Sequence, residues 1–391
     1  MTNLTIDVMR PDEAEATGAL LSQALHFKMP PGQMVPWMEK RGFDSYRVAR
    51  VDGELAAALN IIDMGQWFGG RSLKTAGISA VGVAPEFRGR KVGAALMDAM
   101  LREMRAAGVH LSTLYPATTQ FYRTLGYERA GARTIYELVP AAISVRHPEG
   151  HRLVPAGAAT QDDYAAIYDR FAATQSGHLD RPAVMWDRAI NPMNATPLRY
   201  FVEDAAGGRV GYVIFVQGGQ FEDIRVVDWC AITPAAVRAL LAFVAGHRTM
   251  VDKVLWRGGP VDTALYQLSE QRIKRNWELD WMLRLIDVRG AIAGRGYPAG
   301  LSAAVDLEIV DERLEWNNGR FALRVAEGAG SLEPGGSGAV RLHARDLAAL
   351  YSGHMTPADL LTASDLAGPA ADLSRLALIF SSPRPWMPDM F

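Results

Sequence analysis

Between Ile78 and Tyr127 the spacing of apolar positions changes repeatedly, and the changes mark out a strand, a turn, a helix, a second strand and a helical turn. Ile78 to Ala84 is short, apolar and β-branched at several places, which predicts a buried strand. Pro85 ends it, because proline has no N–H to give a ladder. From Ala94 to Ala107 the apolar residues Ala95, Leu96, Ala99, Met100 and Met104 are interleaved with Asp98, Arg102, Glu103 and Arg105, the period of a helix with one wet face. Gly108 suits its C-cap. The chain then returns as a strand before a helical turn carrying Tyr122.

Upstream, Thr5 to Val8 predicts a first strand and Asp12 to Phe27 a helix with an acidic first turn. Phe43 to Arg50 and Glu54 to Met64 predict strands joined by the Asp52-Gly53 hairpin turn, and Gly65 to Arg71 a further turn. Thr134 to Val139 would close the sheet, and the proline- and glycine-bearing stretch after it marks a boundary. Residues 1–142 therefore form one α/β unit. In residues 143–286, Arg209 to Gln217 and Arg225 to Ala231 predict strands. Thr233 as N-cap and Pro234 open a helix to Gly246, and Lys253 to Trp256 returns as a strand. The order repeats the first unit without its glycine-arginine turn: a degenerate copy or an unrelated α/β domain. In residues 287–391 a hairpin is predicted around Asn318-Gly319, helices over Ala344 to Ser352 and Pro357 to Leu366, and a flexible loop at 328–338. The fold class is multi-domain α/β with a C-terminal α+β part.

Arg88, Gly89, Arg90, Lys91, Val92 and Gly93 connect the strand ending at Ala84 to the helix. Such a turn points unpaired N–H groups and a helix dipole outward, which suits phosphate oxygens, and the cations add charge-assisted hydrogen bonds. The bland reading is an ordinary strand-to-helix connection with a solvated basic patch.

The run VGVAPEFRGRKVGAALM resembles the acetyl-CoA motif of the GNAT acyltransferases, and PATTQFYRTLGYE resembles that family's second motif. Lys91 departs from the pattern, standing where the motif normally has its first glycine. The resemblance implies that acetyl-CoA is held by Val81, Gly82, Val83, Arg88, Gly89, Arg90, Lys91, Val92, Gly93, Ala94, Ala117 and Thr118. A backbone N–H near Val83 is then placed to polarise the thioester carbonyl. The layout as a whole is similar to the Eis acetyltransferases: an active GNAT domain, a degenerate one and a sterol-carrier-like domain. In that family a Tyr acts as acid and the C-terminal carboxylate as base, roles that fall here on Tyr122 and on the α-carboxylate of Phe391. The implied acceptor is a small polyamine-like amine, an aminoglycoside or a lysine side chain, and the implied assembly is a homohexamer. The alternative function is an inactive carrier that binds lipid or acyl-CoA.

The tail SSPRPWMPDMF, with Pro383, Pro385 and Pro388, reads alone as either a disordered end or a tucked anchor. Asp389 could add negative charge near a polyamine, in a direction the sequence does not fix. Tyr122 alone is either a proton donor or a core aromatic, and Trp37, Phe27 and His26 are either acceptor-pocket lining or helix-end packing. A net charge of −2 gives no general attraction to nucleic acid or anionic membrane. The single cysteine, Cys230, suits a reducing cytosol and more naturally packs as a small hydrophobe. The eight histidines show no metal-ligand spacing, so no metal is expected. No run is apolar and long enough to span a bilayer, and no secretory leader is visible.

Overall fold

The computed structural model describes residues 3–27, 32–193, 195–218 and 222–391. In the first unit the strands are β1 (Leu4–Val8), β2 (Tyr46–Val51), β3 (Glu54–Phe68), β4 (Arg71–Val83), β5 (Leu111–Leu114) and β6 (Glu128–Leu138). Its helices are α1 (Ala14–Leu25), α2 (Met34–Arg41), α3 (Val92–Ala106) and α4 (Thr119–Arg123). The predicted turn over Gly65 to Arg71 is corrected. β3 runs on through Trp67 to Phe68 and only Gly69-Gly70 turns, because Gly65 and Gln66 gain a second partner in Asp180 and Leu179. Phe43, expected in a strand, lies in a single helical turn before β2.

The second unit contains β7 (Arg152–Pro155), α5 (Gln161–Ala172), β8 (Leu179–Asp180), α6 (Ala183–Ile190), β9 (Leu198–Glu203), β10 (Arg209–Gln217), β11 (Ile224–Ala231), α7 (Pro234–Gly246), β12 (Val254–Gly258) and β13 (Ile273–Leu285). The Thr233 hydroxyl accepts from the Ala236 N–H, as its capping chemistry requires. The two units share one continuous sheet in the order β1-β2-β3-β4-β5-β13-β6-β12-β11-β10-β9-β7, with β8 on the outer edge of β3. β13 therefore stands between β5 and β6 of the first unit, pairing Met282 with Leu114 and Trp281 with Gly131.

The C-terminal part has α8 (Val288–Gly294), a four-stranded sheet of β14 (Ala303–Val310), β15 (Gly319–Ala326), β16 (Ala329–Pro334) and β17 (Val340–His343), and helices α9 (Ala344–Ser352), α10 (Pro357–Ala363) and α11 (Ala370–Ile379). Two expectations are corrected here. β14 and β15 do form a hairpin, but through residues 311–318 rather than a tight Asn-Gly turn, since Asn318 donates its backbone N–H to Glu315 O and holds Asp311 N–H with its side chain. The stretch expected as a loop contains β16, whose six residues all pair with β15, so tertiary pairing overrides its glycine and proline content.

This part braces the first unit. Gly69 and Gly296 meet so closely that a Cβ on either would stand about 2 Å from the other's carbonyl oxygen. Arg313 donates to Thr124 O at 3.0 Å and pairs with Asp98 at 3.0 Å, tying residues 311–318 to α3 and to the end of α4. Among the described residues no helix is long and apolar enough to cross a membrane.

Candidate active site

β4 and β5 pair in parallel only from Thr75/Leu111 to Ile78/Leu114. Beyond that β5 ends while β4 continues to Val83, so the two strands part and leave a cleft. A bulge sits at the parting: the β3 register shifts between Ala58 and Asn60, and Ala80 adopts φ +52°. Because of the extra residue, Gly77 and Gly82 face the same side of the sheet although five positions apart. An alanine held at positive φ stores strain, which marks the bulge as a position the fold over-determines.

At the far end of β4, Gly89 (φ +75°) and Lys91 (φ +62°) turn the chain into α3, and no side chain caps that helix. Its first N–H groups have no side-chain partner among the described residues, and Arg88, Arg90 and Lys91 are exposed around them. Gly93 allows α3 to close on β4, since a Cβ there would come within 3.0 Å of Val83 and 3.6 Å of the Phe121 ring. Val83, Gly93 and Phe121 thus converge, and Val81 and Val83 are half-buried along one lip of the cleft while Ala117 and Thr118 are exposed on the other. Gly82 is buried and faces Leu21 and Ala24 of α1, so its lack of a side chain serves helix packing. Lys91 occupies the left-handed conformation that glycine adopts at no cost, a penalty of roughly 1–2 kcal/mol for a residue with a Cβ. Replacing Lys91 by Gly is expected to raise stability by up to about 1 kcal/mol, the chain-entropy cost of glycine offsetting part of the relief. The KM for acetyl-CoA, the cofactor that the resemblance implies, should change only modestly, by less than the roughly ten- to hundredfold that one charge-assisted hydrogen bond is worth. Urea denaturation and initial rates measure the two effects.

Tyr122 is buried at 6% exposure between the rings of Phe121 (5.0 Å) and Tyr127 (6.0 Å), and its hydroxyl has no hydrogen-bond partner among the described residues. Burial alone pushes its phenol up to about 12. Tyr127 packs in the core and shares a 2.7 Å hydrogen bond with Ser112 of β5, so it is structural. Cys230 is fully buried.

The C-terminal tail is an anchor. Residues 385–387 lie between Ala132 of β6 and Ser176: Ala132 N–H donates to Pro385 O (3.2 Å) and Trp386 N–H to Ser176 O (3.0 Å). The Trp386 ring stands edge-on to His178 at 4.5 Å. Arg133 donates to Pro388 O (2.9 Å) and the Tyr115 hydroxyl to Asp389 O (2.7 Å). Asp389 is not a free negative charge: it is buried and paired with Arg181 (2.9 Å), which also binds Asp228 (2.6 Å). Burial raises the Asp389 carboxyl, opposed by the Arg181 guanidinium. The tail ends with the Phe391 ring edge-on to Tyr115 (5.7 Å) and 3.3 Å from where a Gly77 Cβ would stand. Ser112 and Tyr115 lie on opposite faces of the β5 line, so Tyr122 and Phe391 approach the parting strands from opposite sides. The anchors Tyr115, Arg133, His178, Arg181 and Asp228 carried no local signal in the sequence; only the run of prolines and aromatics at the end hinted at them.

His178 gives the tail a pH limit. It is 0% exposed, and burial together with Arg181 pushes its imidazole down to about 3. An unfolded histidine titrates near 6.5, so below that pH only the unfolded or released segment takes the proton, and stability falls from about pH 6.5 to about pH 3. At pH 5 the loss is about 2 kcal/mol. Activity at pH 5 is expected to drop reversibly and to be partly restored by His178→Phe; an unchanged profile in that variant refutes the role.

Comparison with known proteins follows the same outline. An acetyltransferase (GNAT) domain family matches residues 5–130, a second acetyltransferase (GNAT) domain family matches residues 177–285, and a sterol carrier protein domain family matches residues 288–388. An uncharacterized N-acetyltransferase of Streptomyces coelicolor is 29% identical over 83% of this chain and 82% of that protein. The N-acetyltransferase Eis of Mycobacterium tuberculosis is 28% identical over 80% of this chain and 79% of that protein. The crystal structure of a GCN5-related N-acetyltransferase from Anabaena variabilis superimposes with a TM-score of 0.94 at 32% identity, covering 100% of both chains.

Proposed function

The chain belongs to the GCN5-related N-acetyltransferases, as a homologue of the Eis enzymes, and we propose that it moves acetyl from acetyl-CoA to a primary amine by direct attack in a ternary complex. The observation that carries the reading is the tail end beside the parting of β4 and β5, across from Tyr122, with the uncapped start of α3 at the far end of β4. Acetyl-CoA supplies an activated thioester. The diphosphate is held by the N–H groups of Val92, Gly93 and Ala94 with Arg88, Gly89, Arg90 and Lys91, and the cofactor arm lies between Val81–Val83 and Ala117–Thr118. The α-carboxylate of Phe391 holds the incoming ammonium and takes its proton, directly or through water. Tyr122, neutral at every physiological pH, acts as the acid by donating its O–H as a hydrogen bond to the departing sulfur. No covalent enzyme intermediate is required.

The acceptor expected from the family is a polyamine such as an aminoglycoside, or a lysine side chain. The division into residues 1–142, 143–286 and 287–391, a homohexameric assembly and a cytosolic location belong to the same reading. Thiol release followed with a colorimetric reagent over an amine panel, together with calorimetry of acetyl-CoA, tests it. Turnover with at least one amine is expected; no heat with acetyl-CoA and no turnover would end it. A monomer peak in sedimentation would remove the hexamer alone.

A further inference from the structure

The face of the sheet that receives the tail also carries an arginine that no acid among the described residues balances. Arg41, the last residue of α2, is half-buried with its guanidinium 4.0 Å over the Trp37 ring. It donates to the Asn60 side-chain oxygen at 2.9 Å and reaches Ser79 Oγ at 3.4 Å, both neutral acceptors. Those acceptors are fixed in turn: Ser79 donates to Asn60 at 3.1 Å and Asn60 to Ser45 Oγ at 2.6 Å. Arg41, Ser45 and Asn60 line a cleft of about 390 Å³ with Ile62 and with Val184 of α6. Arg188 lies one turn beyond Val184 on the same helix face. The two arginines each follow a residue of the Lys40–Asp187 ion pair (2.5 Å) that ties α2 to α6. Neither has an ion-pair partner among the described residues, and burial, with the positive charge of Arg188 added to it, pushes Arg41 down to about 10. The carboxylate that Arg188 senses, Asp389, is already taken by Arg181.

The other charges around the cleft do not balance the pair. Arg47 is held by Glu103 (2.5 Å), and Lys74 points to Ala107 O (3.4 Å). Asp44 and Asp63 are exposed at the mouth and make no ion pair with Arg41. Two neighbouring guanidinium groups, one of them partly withdrawn from water, repel each other unless an anion joins them.

Resting on the acetyltransferase reading, we propose that Arg41 and Arg188 bind an acidic group on the acceptor, so that the preferred substrate is an amine that also carries a carboxylate or phosphate rather than a pure polyamine. The placement fits such a molecule. Ser79, which Arg41 reaches, and Gly77, against which Phe391 packs, are two residues apart on one face of β4, a separation of roughly 7 Å. An amine held at the tail carboxylate and an acid held at Arg41 would then be joined by a short chain. Guanidinium pairing fixes the acid end and leaves the Phe391 carboxylate for the ammonium.

Three matched amines decide the matter: 6-aminohexanoate, hexylamine and 1,6-diaminohexane, compared by kcat/KM in the thiol-release assay and by calorimetric binding to the full chain with CoA present. 6-Aminohexanoate is expected to exceed the other two by roughly ten- to hundredfold, the worth of charge-assisted hydrogen bonds. Arg41→Gln and Arg188→Gln should each erase most of that preference, with the surface variant Arg188→Gln keeping the wild-type melting temperature. A preference for the diamine overturns the proposal. So does an equal change for all three amines in the variants, which would mean that the arginines serve the Phe391 carboxylate instead. If acetyl-CoA binds but none of the three turns over, binding alone decides, and equal affinity for 6-aminohexanoate and hexylamine is the negative result. Failure to bind acetyl-CoA would instead strike the acetyltransferase reading itself.

Discussion

Deleting Phe391, or extending the chain beyond it with a tag, is expected to lower kcat by roughly 10²- to 10⁴-fold, the usual contribution of a positioned base. Deletion moves the terminal carboxylate back by one residue, about 3.5 Å, and proton transfer requires hydrogen-bond reach. An extension abolishes the free carboxylate at that position. Neither change should unfold the tail, because its hydrogen-bonded anchors precede the last residue: Trp386 on Ser176, Pro388 on Arg133 and Asp389 on Tyr115 and Arg181. The variant that separates ring from carboxylate is Phe391→Ala. It keeps the α-carboxylate and loses the Tyr115 and Gly77 contacts, so it should retain far more activity than the deletion. A tagged protein with full kcat would exclude the terminal carboxylate.

What the sequence made legible was local. The strand, turn and helix from Ile78 to Ala107, the Thr233-Pro234 cap and the helix over Ala344 to Ser352 are each set by residues within a few positions of one another. The tail was legible only as a choice between disorder and anchoring, because its partners are distant in the chain. Tyr115 and Asp389 are separated by 274 positions, Arg133 and Pro388 by 255, and Arg181 and Asp389 by 208. No spacing rule reaches that far. The extension of β3 to Phe68 and the pairing of β16 were misread for a related reason: glycine and proline report local preference, and neighbouring strands overrode it.

The insertion of β13 between β5 and β6 has a bearing on function that no single unit reveals. β5 carries Ser112 on one face and leads into Tyr115, the hydroxyl that holds the tail, and its partner on the side away from β4 is β13 of the second unit. Arg181, which fixes Asp389, also belongs to the second unit, and Arg313 of the C-terminal part braces α3 and the end of α4. The degenerate unit and the carrier-like part therefore hold the proposed base in place and stiffen both walls of the cleft.

Tyr122→Phe is expected to lower kcat by roughly 10²- to 10⁴-fold while leaving the KM for acetyl-CoA and the melting temperature almost unchanged. The stability half of this follows from the phenol's surroundings. Its hydroxyl has no hydrogen-bond partner among the described residues, so phenylalanine fills the same space against Phe121 and Tyr127 and orphans nothing. The kinetic half follows from its acidity. Burial holds the phenol at about 12, so it is protonated throughout the working pH range. A thiol titrates near 8.5, which makes complete transfer to a free thiolate uphill by about 5 kcal/mol. In the proposed mechanism Tyr122 therefore acts as a hydrogen-bond donor to sulfur while the C–S bond is breaking and negative charge is forming there. That role predicts no basic limb in the kcat profile from Tyr122 below about pH 12. It also predicts that the variant loses less with a thioester whose leaving thiol is more acidic, since a better leaving group needs less help. Equal losses for both thioesters would assign Tyr122 to packing, and a kcat close to that of the unaltered enzyme would remove it from the chemistry.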